Sequence, residues 1–230
     1  MKILIFNGSP KKDASDTMHM TRAFLSGMND VSENDVNVIH VIDKHIEYCK
    51  GCLTCKMNGG HCVIHDDMEE ILQQILSADM LLLSFGLYNY AMPAPLKNLW
   101  DRTMPLSALS MRQTEDRIRH DYIADFSKLR YVMICGAGFP NARNNFEGII
   151  RQFALMFPAN RTAITVPESP MFSAPEAAVV TGPFLEVMRQ AGREYAQSGS
   201  ITPETMEKLD TPMIPEEVYI SIVNENTGAK

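Results

Sequence analysis

Ile3-Leu4-Ile5-Phe6-Asn7-Gly8-Ser9-Pro10-Lys11-Lys12-Asp13-Ala14-Ser15-Asp16-Thr17 opens with four apolar residues and runs on into a loop rich in hydroxyl groups. Consecutive apolar side chains without polar alternation read as a strand buried on both faces, the kind found in parallel sheets covered by helices. The segment after the loop, Thr17 to Met28, places Met18, Thr21, Phe24, Leu25 and Met28 on one helical face. A loop between a strand's carboxyl end and a helix N-terminus offers free backbone N–H groups and the positive end of the helix dipole, so a phosphate is its expected ligand. Ser9, Ser15 and Thr17 add hydroxyl donors, and Lys11 stands in the same loop. The same residues admit a second reading, in which Ser15 or Asp16 only caps the helix. Neither a Walker pattern nor G-x-G-x-x-G is present, which argues against triphosphate hydrolysis and Rossmann-type dinucleotide binding.

Outward from this stretch the same alternation repeats. Val36 to Ile42, Met80 to Ser84, Tyr131 to Cys135 and Ala163 to Val166 are further runs of strand length. Helical periodicity fills the intervals: Asp67 to Leu76, with Ile71, Leu72, Ile75 and Leu76 on one face, then Phe146 to Phe157 and Glu176 to Gln197. Strands that alternate with helices specify an α/β fold: a flavodoxin-like, doubly wound five-stranded parallel sheet of order 2-1-3-4-5, helices on both faces, over residues 1–198. Pro203, Pro212 and Pro215 break the pattern beyond Gly199, so residues 199–230 read as a C-terminal extension that packs on the domain or a partner subunit. In a parallel sheet the loops after strand carboxyl ends share one rim. The phosphate loop, the cysteine-rich loop after strand two, Phe85 to Pro93 and Gly136 to Asn145 are all expected there.

Composition narrows the classes. Among 230 residues, 21 Lys plus Arg stand against 28 Asp plus Glu, a net charge of -7, and no basic cluster exceeds Lys11-Lys12, so nucleic acid is a poor partner. No apolar run approaches the ~20 residues of a membrane span. Met1 to Phe6, followed at once by Asn7-Gly8, lacks the length and cleavage site of a signal peptide, and a cytoplasmic protein is expected. No Ser-His-Asp order or paired-carboxylate pattern supports hydrolysis. Met18, Met188 and Met206, at helical spacing, read as core filler.

Four of the five cysteines, Cys49, Cys52, Cys55 and Cys62, fall within fourteen positions. Three readings compete: an iron-sulfur cluster on four thiolates, a structural zinc ion, or free or reversibly oxidised thiols that line a pocket. Cys135, at the end of an apolar strand, reads as a buried inert thiol. His61 and His65 flank Cys62 and read first as solvated loop histidines. Lys97 and Asp101, four apart, suit a local salt bridge, and Asp66-Asp67 reads as a helix N-cap.

Gly8-Ser9-Pro10-Lys11 with Ser15 and Thr17, the cysteine loop with Gly60-His61-Cys62 running into Asp66-Asp67-Met68, Tyr88 after strand three, and Lys97 with Asp101-Arg102 together resemble the NADPH-dependent FMN reductase family, in its iron-sulfur flavoprotein branch. The resemblance implies FMN, its phosphate on the loop Ser9, Lys11, Ser15, Asp16, Thr17, and its ring against Phe85, Gly86, Leu87, Tyr88 and Asn89 after strand three and Gly136 and Gly138 after strand four. It also implies a 4Fe-4S cluster on the four clustered cysteines, NAD(P)H as a transient donor, a small acceptor such as a flavin or quinone, and a homodimer or homotetramer. The flavin carries the chemistry, so no catalytic side chain is expected. A non-enzymatic electron carrier between partner proteins is the alternative. Two departures stand out: members often carry Asn where this chain has Asp16, whose carboxylate would repel a phosphate unless turned aside, and Ser-Pro-x-Tyr where it has Phe85-Gly86-Leu87-Tyr88. The lost proline removes a restraint on that turn, and Gly86 lets the backbone come close to a flat ligand.

Overall fold

A computed structural model describes residues 1–115 and 117–227. In chain order the elements are β1 (Lys2–Asn7), α1 (Asp16–Asn29), β2 (Asp35–His40), the single turn α2 (Thr54–Met57), α3 (Met68–Ser77), β3 (Met80–Gly86), α4 (Ala94–Asp101), β4 (Ser107–Gln113) and β5 (Ile118–Tyr122). After these come β6 (Arg130–Gly136), α5 (Glu147–Met156), β7 (Arg161–Val166), α6 (Ala178–Ser198), α7 (Pro203–Asp210) and α8 (Glu216–Thr227). Five strands pair in parallel in the order β2-β1-β3-β6-β7, which is the expected 2-1-3-4-5 when the sheet's own strands are counted. Asn7 lies beside both His40 and Ser84, and Gly136 beside both Gly86 and Val166, so the strand carboxyl ends form a nearly level rim.

Successive strand side chains point to opposite faces, and both faces are apolar. Leu4, Phe6, Leu81, Leu83, Phe85, Tyr131, Met133 and Cys135 join α3, α4 and α5 in one core. Ile3, Ile5, Met80, Leu82, Val132 and Ile134 join α1 and α6 in the other. Met18 and Met188 are buried and Met206 packs against the second core, as filler. Helices α1 and α6 cross at glycines: a methyl group on Gly27 would stand 1.8 Å from the Arg189 carbonyl oxygen, and one on Gly192 would stand 1.9 Å from that of Phe24. Asp30, at the end of α1, clamps the same pair of helices through Arg189 and Arg193.

Several boundaries and segments differ from the sequence expectation. β2 ends at His40, and Val41–Asp43 is a tight turn, because Val41 has left the ladder to fill the core between sheet and helices. α6 begins at Ala178 after a separate turn at Pro175–Ala177. The antiparallel hairpin β4–β5 carries no strand signal in the sequence, because its residues alternate too irregularly to mark one. The described chain beyond Gly199 carries two helices: Pro203 stands in the first turn of α7, which Thr202 caps by accepting the Thr205 N–H, Pro215 directly precedes α8, and Pro212 lies in the linker between them. Leu209 and Tyr219 are buried, and the Met213 N–H donates to Glu168 at 2.5 Å, which ties this segment to the end of β7.

Candidate functional site

At the head of β1, Asn7 shapes the loop from beneath. Its buried side chain accepts the Ser9 N–H at 2.9 Å and donates to the Lys12 carbonyl at 2.9 Å, while Ser9 Oγ accepts the Lys11 N–H. Ser9, Ser15 and Thr17 are all buried. Ser15 Oγ caps α1 by accepting the Met18 N–H at 3.3 Å. The N–H groups of Asp16 and Thr17 meet no acceptor among the described residues, which leaves two donors at the positive end of the helix. The Asp16 carboxylate does not cap; it accepts from the Ser173 hydroxyl and lies 3.4 Å from the Lys11 ammonium, drawn sideways toward the Ser169–Ser173 turn. Asn7 and Ser173 escaped the sequence reading, although an Asn at a strand end before Gly is a turn signal.

After β3 the chain makes a pinned turn. Tyr88 and Ala91 exchange both backbone hydrogen bonds, at 3.1 and 3.0 Å, around Asn89 and Tyr90, whose φ values of 47° and 62° make this a type I′ turn. The restraint expected to be lost with the proline is thus supplied by hydrogen bonds. Tyr88 and Tyr90 are half exposed at the rim, and Tyr90 stacks on Phe139 with centroids 5.8 Å apart. Not every residue assigned to the ring edge faces it. Phe85 is fully buried because strand alternation sends its side chain into the core with Leu81 and Leu83, so only its backbone reaches the rim. Gly136 is buried too: a methyl group there would stand 2.6 Å from Ser169, and its carbonyl accepts the Leu87 N–H at 2.7 Å, so this glycine permits close packing of two loops. Leu87 packs partly against the core. Gly86, Tyr88, Asn89 and Gly138 remain at the surface of the rim. Beside Gly138, the Tyr219 hydroxyl arrives from α8. Glu168, wholly buried at the end of β7, has its pKa raised by burial, an effect the N–H groups of Met213 and Ile214 only partly offset.

The cysteine loop leaves the rim. Residues 44–47 descend along α4, held by Asn98, which donates to the Ile46 carbonyl at 2.7 Å, and by Arg102, which donates to the Glu47 carbonyl at 2.7 Å. Cys49, Cys52, Cys55 and Cys62 line one pocket with Asp101, Arg102, Met104 and Pro105. That pocket lies at the far end of α4, an eight-residue helix about 12 Å long at 1.5 Å per residue. The cysteines therefore gather beside the C-terminal end of α4, because buried Arg102 anchors their loop there. The donor chemistry suits a cluster: four thiols and an N–H donor, with Arg102 Nη2 3.7 Å from Cys62 Sγ. Their placement stops short of it, since no three Cys, His, Asp or Glu among the described residues are set to share one metal ion. Burial raises the pKa of Cys55, and the neighbouring Cys62, Cys49 and Cys52 add to the rise. Lys56 donates to the carbonyls of Met104 and Ser107 and to the Ser107 hydroxyl, tying the loop to the root of β4.

Arg102 and Asp66 form the least expected part of this region. The guanidinium holds the carboxylate by two prongs, Nη1–Oδ2 at 2.6 Å and Nη2–Oδ1 at 3.0 Å, with side chains 1% and 0% exposed. Burial alone would raise the Asp66 pKa; Arg102 and the N–H groups of Glu47 and Met68 hold it below the ordinary value. The N-cap assigned to Asp66-Asp67 is thus subordinate: Asp66 touches the Met68 N–H but mainly serves Arg102, and Asp67 accepts the His45 N–H. Cys135 is buried, with its pKa pushed well up by desolvation, and Lys97 pairs with Asp101 at 2.5 Å. No helix among the described residues is long and apolar enough to cross a membrane.

The five-stranded doubly wound sheet, the open helix N-terminus and the tyrosine-edged rim define a flavodoxin-like protein with two unpaired backbone donors at the start of α1. The family model for NADPH-dependent FMN reductase matches residues 1–118, just over half of the chain, and the chain belongs to that family. An iron-sulfur flavoprotein of Methanocaldococcus jannaschii is 34% identical over 108 residues, 46% of this chain and 53% of that protein. One from Methanosarcina thermophila is 31% identical over 106 residues, again 46% of this chain and 54% of its own length. The chain thus spans about half the length of the curated relatives it matches. Among solved structures, an azoreductase from Bacillus anthracis superposes with a TM-score of 0.61 at 15% identity over 84% of this chain and 99% of that one. An NAD(P)H:quinone oxidoreductase from Methanothermobacter marburgensis gives 0.58 at 18% over 84% and 98%. At such identities the likeness is one of fold.

Proposed function

We propose that this chain is an FMN-dependent oxidoreductase that passes electrons from NAD(P)H or a reduced carrier to a small acceptor such as a flavin or quinone. The observation that carries the reading is the unpaired N–H pair of Asp16 and Thr17, ringed by the buried hydroxyls of Ser9, Ser15 and Thr17, at one end of a rim whose other side is the pinned turn Tyr88–Ala91. Bound FMN would supply hydride and one-electron chemistry. Ser9, Ser15, Thr17 and the helix N-terminus hold its phosphate, and Lys11 and Ser173 keep the Asp16 charge off that anion. The Tyr88–Ala91 turn, Gly86 and Gly138 border its ring. The four clustered cysteines are the ligands for a 4Fe-4S cluster in this reading, supported by the names of the relatives and by the pocket the thiols share.

A reducing cytoplasm suits four unpaired thiols in one loop. A homodimer or homotetramer suits the exposed apolar side chains Leu109, Met111 and Ile118 on the hairpin β4–β5, which a partner would cover. Titration of flavin-free protein with FMN tests the site. The Ser9→Ala/Thr17→Ala variant should bind ~2–4 kcal/mol more weakly, at ~1–2 kcal/mol per lost charge-assisted hydrogen bond, and unchanged affinity would remove the assignment. NAD(P)H oxidation with a quinone and no partner protein separates enzyme from electron carrier, because a carrier requires a reductase.

A further inference from the structure

We infer that Arg102 is a positioning residue for the cysteine centre: with Asp66 it closes the cysteine loop at its stem without any metal and presets Cys62 as the first ligand. The inference rests on the cluster reading above. The guanidinium binds both strands of the stem, the Glu47 carbonyl on the way in and the Ile64 carbonyl and Cys62 Sγ on the way out, at 2.7, 3.5 and 3.7 Å. Asp66 locks its two nitrogens in place and also accepts the Glu47 N–H at 2.8 Å, so the loop from 48 to 62 springs from a stem fixed on the flank of α4 by a buried ion pair. A rigid planar fork with several donors suits this task and an ammonium does not. Cys55 and Cys62 are half-buried and Cys49 and Cys52 are exposed, which orders the centre: the Cys62 side is set in advance and the exposed pair closes over an incoming cluster. The buried positive charge and the N–H donated to sulfur favour the reduced, more negative cluster, and so raise its reduction potential.

The test compares wild type with Arg102→Lys and with the paired variant Arg102→Met/Asp66→Leu. The paired variant replaces a buried ion pair by apolar groups of similar bulk and spares the fold an orphaned charge. Hydrogen exchange over residues 47–66 is read on metal-free protein, and iron, sulfide and reduction potential on anaerobically reconstituted protein. In the paired variant, exchange across the loop should quicken about tenfold, and cluster retention should weaken about ten- to a hundredfold. Arg102→Lys should keep the cluster but at a lower potential, and FMN affinity should hold in both. Unchanged loop exchange in a folded paired variant, or an unchanged potential in Arg102→Lys, overturns the inference. Wild-type protein that takes up no iron and sulfide removes the cluster reading itself, a failure told apart from the first because loop exchange is measured without metal.

Discussion

Gly192 of α6 lies directly on the backbone of Phe24 of α1, with its Cα so close that an added methyl group would meet the Phe24 carbonyl oxygen at 1.9 Å. Backbone cannot swing away as a side-chain tip can, so the helices would have to separate. Gly192→Ala should therefore destabilise the protein by about 3 kcal/mol or more, and Gly27→Ala likewise. Gly182, in the same helix with no atom near its missing Cβ apart from its chain neighbours, is the control: helix propensity favours Ala there while the following Pro183 opposes it, so Gly182→Ala should change stability by ~1 kcal/mol at most. Urea unfolding of the three variants checks the contrast, and a mild Gly192→Ala would contradict the close crossing.

Asp30 carries a pH dependence of definite sign. The hydrogen bonds from Arg189 and then Arg193 push its pKa down to about 2. A carboxylate lowered in the folded state contributes stability above its unfolded value, ~4, and loses it as pH falls through about 2. Asp30→Asn should lower the melting temperature at neutral pH and match wild type at the acid end of that window. A gap that persists there would show that Asn perturbs packing rather than charge.

Glu168 should act in the opposite sense. Burial raises its folded pKa, so its contribution is fully present below the ordinary glutamate value, ~4.3, and falls as pH rises through and above that range. Its Oε2 accepts the Met213 N–H, so the effect should appear as faster amide exchange in residues 211–227 as pH climbs, after correction for intrinsic exchange. In Glu168→Gln that dependence should vanish and the segment should be at least as protected at neutral pH. A less protected variant would show that the carboxylate is needed charged.

Thiol labelling of metal-free protein should follow burial. Cys49 and Cys52 are exposed and should alkylate first, Cys55 and Cys62 more slowly, and Cys135 only on unfolding. Peptide mass mapping over time reads the order. Early labelling of Cys135 would contradict a fully packed β6.

Much of this was written locally in the chain. Two-residue alternation settled which strand side chains enter which core, and counting from Leu81 and Leu83 would also have turned Phe85 inward, away from the rim to which its motif assigned it. The hydroxyl-rich stretch after Phe6 marked the helix start, and Ser15 caps it. Such features depend on neighbours two to four residues apart, where backbone geometry leaves few choices. The type I′ turn at Asn89-Tyr90 was harder to read, because a tyrosine at positive φ has little intrinsic preference for it and is held there by the surrounding hydrogen bonds.

The amino-acid sequence by itself determined a five-stranded doubly wound sheet, an anion-ready helix start and a cluster of four thiols; only the tertiary structure decided where those thiols lie and what holds them. Asp66 and Arg102 are 36 residues apart, Glu168 and Met213 are 45 apart, and Gly27 meets the backbone of Arg189 across two helices. Nothing in the local pattern distinguishes Asp66 from Asp67, or Arg102 from an exposed arginine. The choice is made by burial, because a charge that loses water must find an opposite charge and satisfied hydrogen bonds within reach. Arg102, just past the end of α4, found them for its two terminal nitrogens in Asp66 and the stem of the cysteine loop, and so holds that loop on the flank of α4.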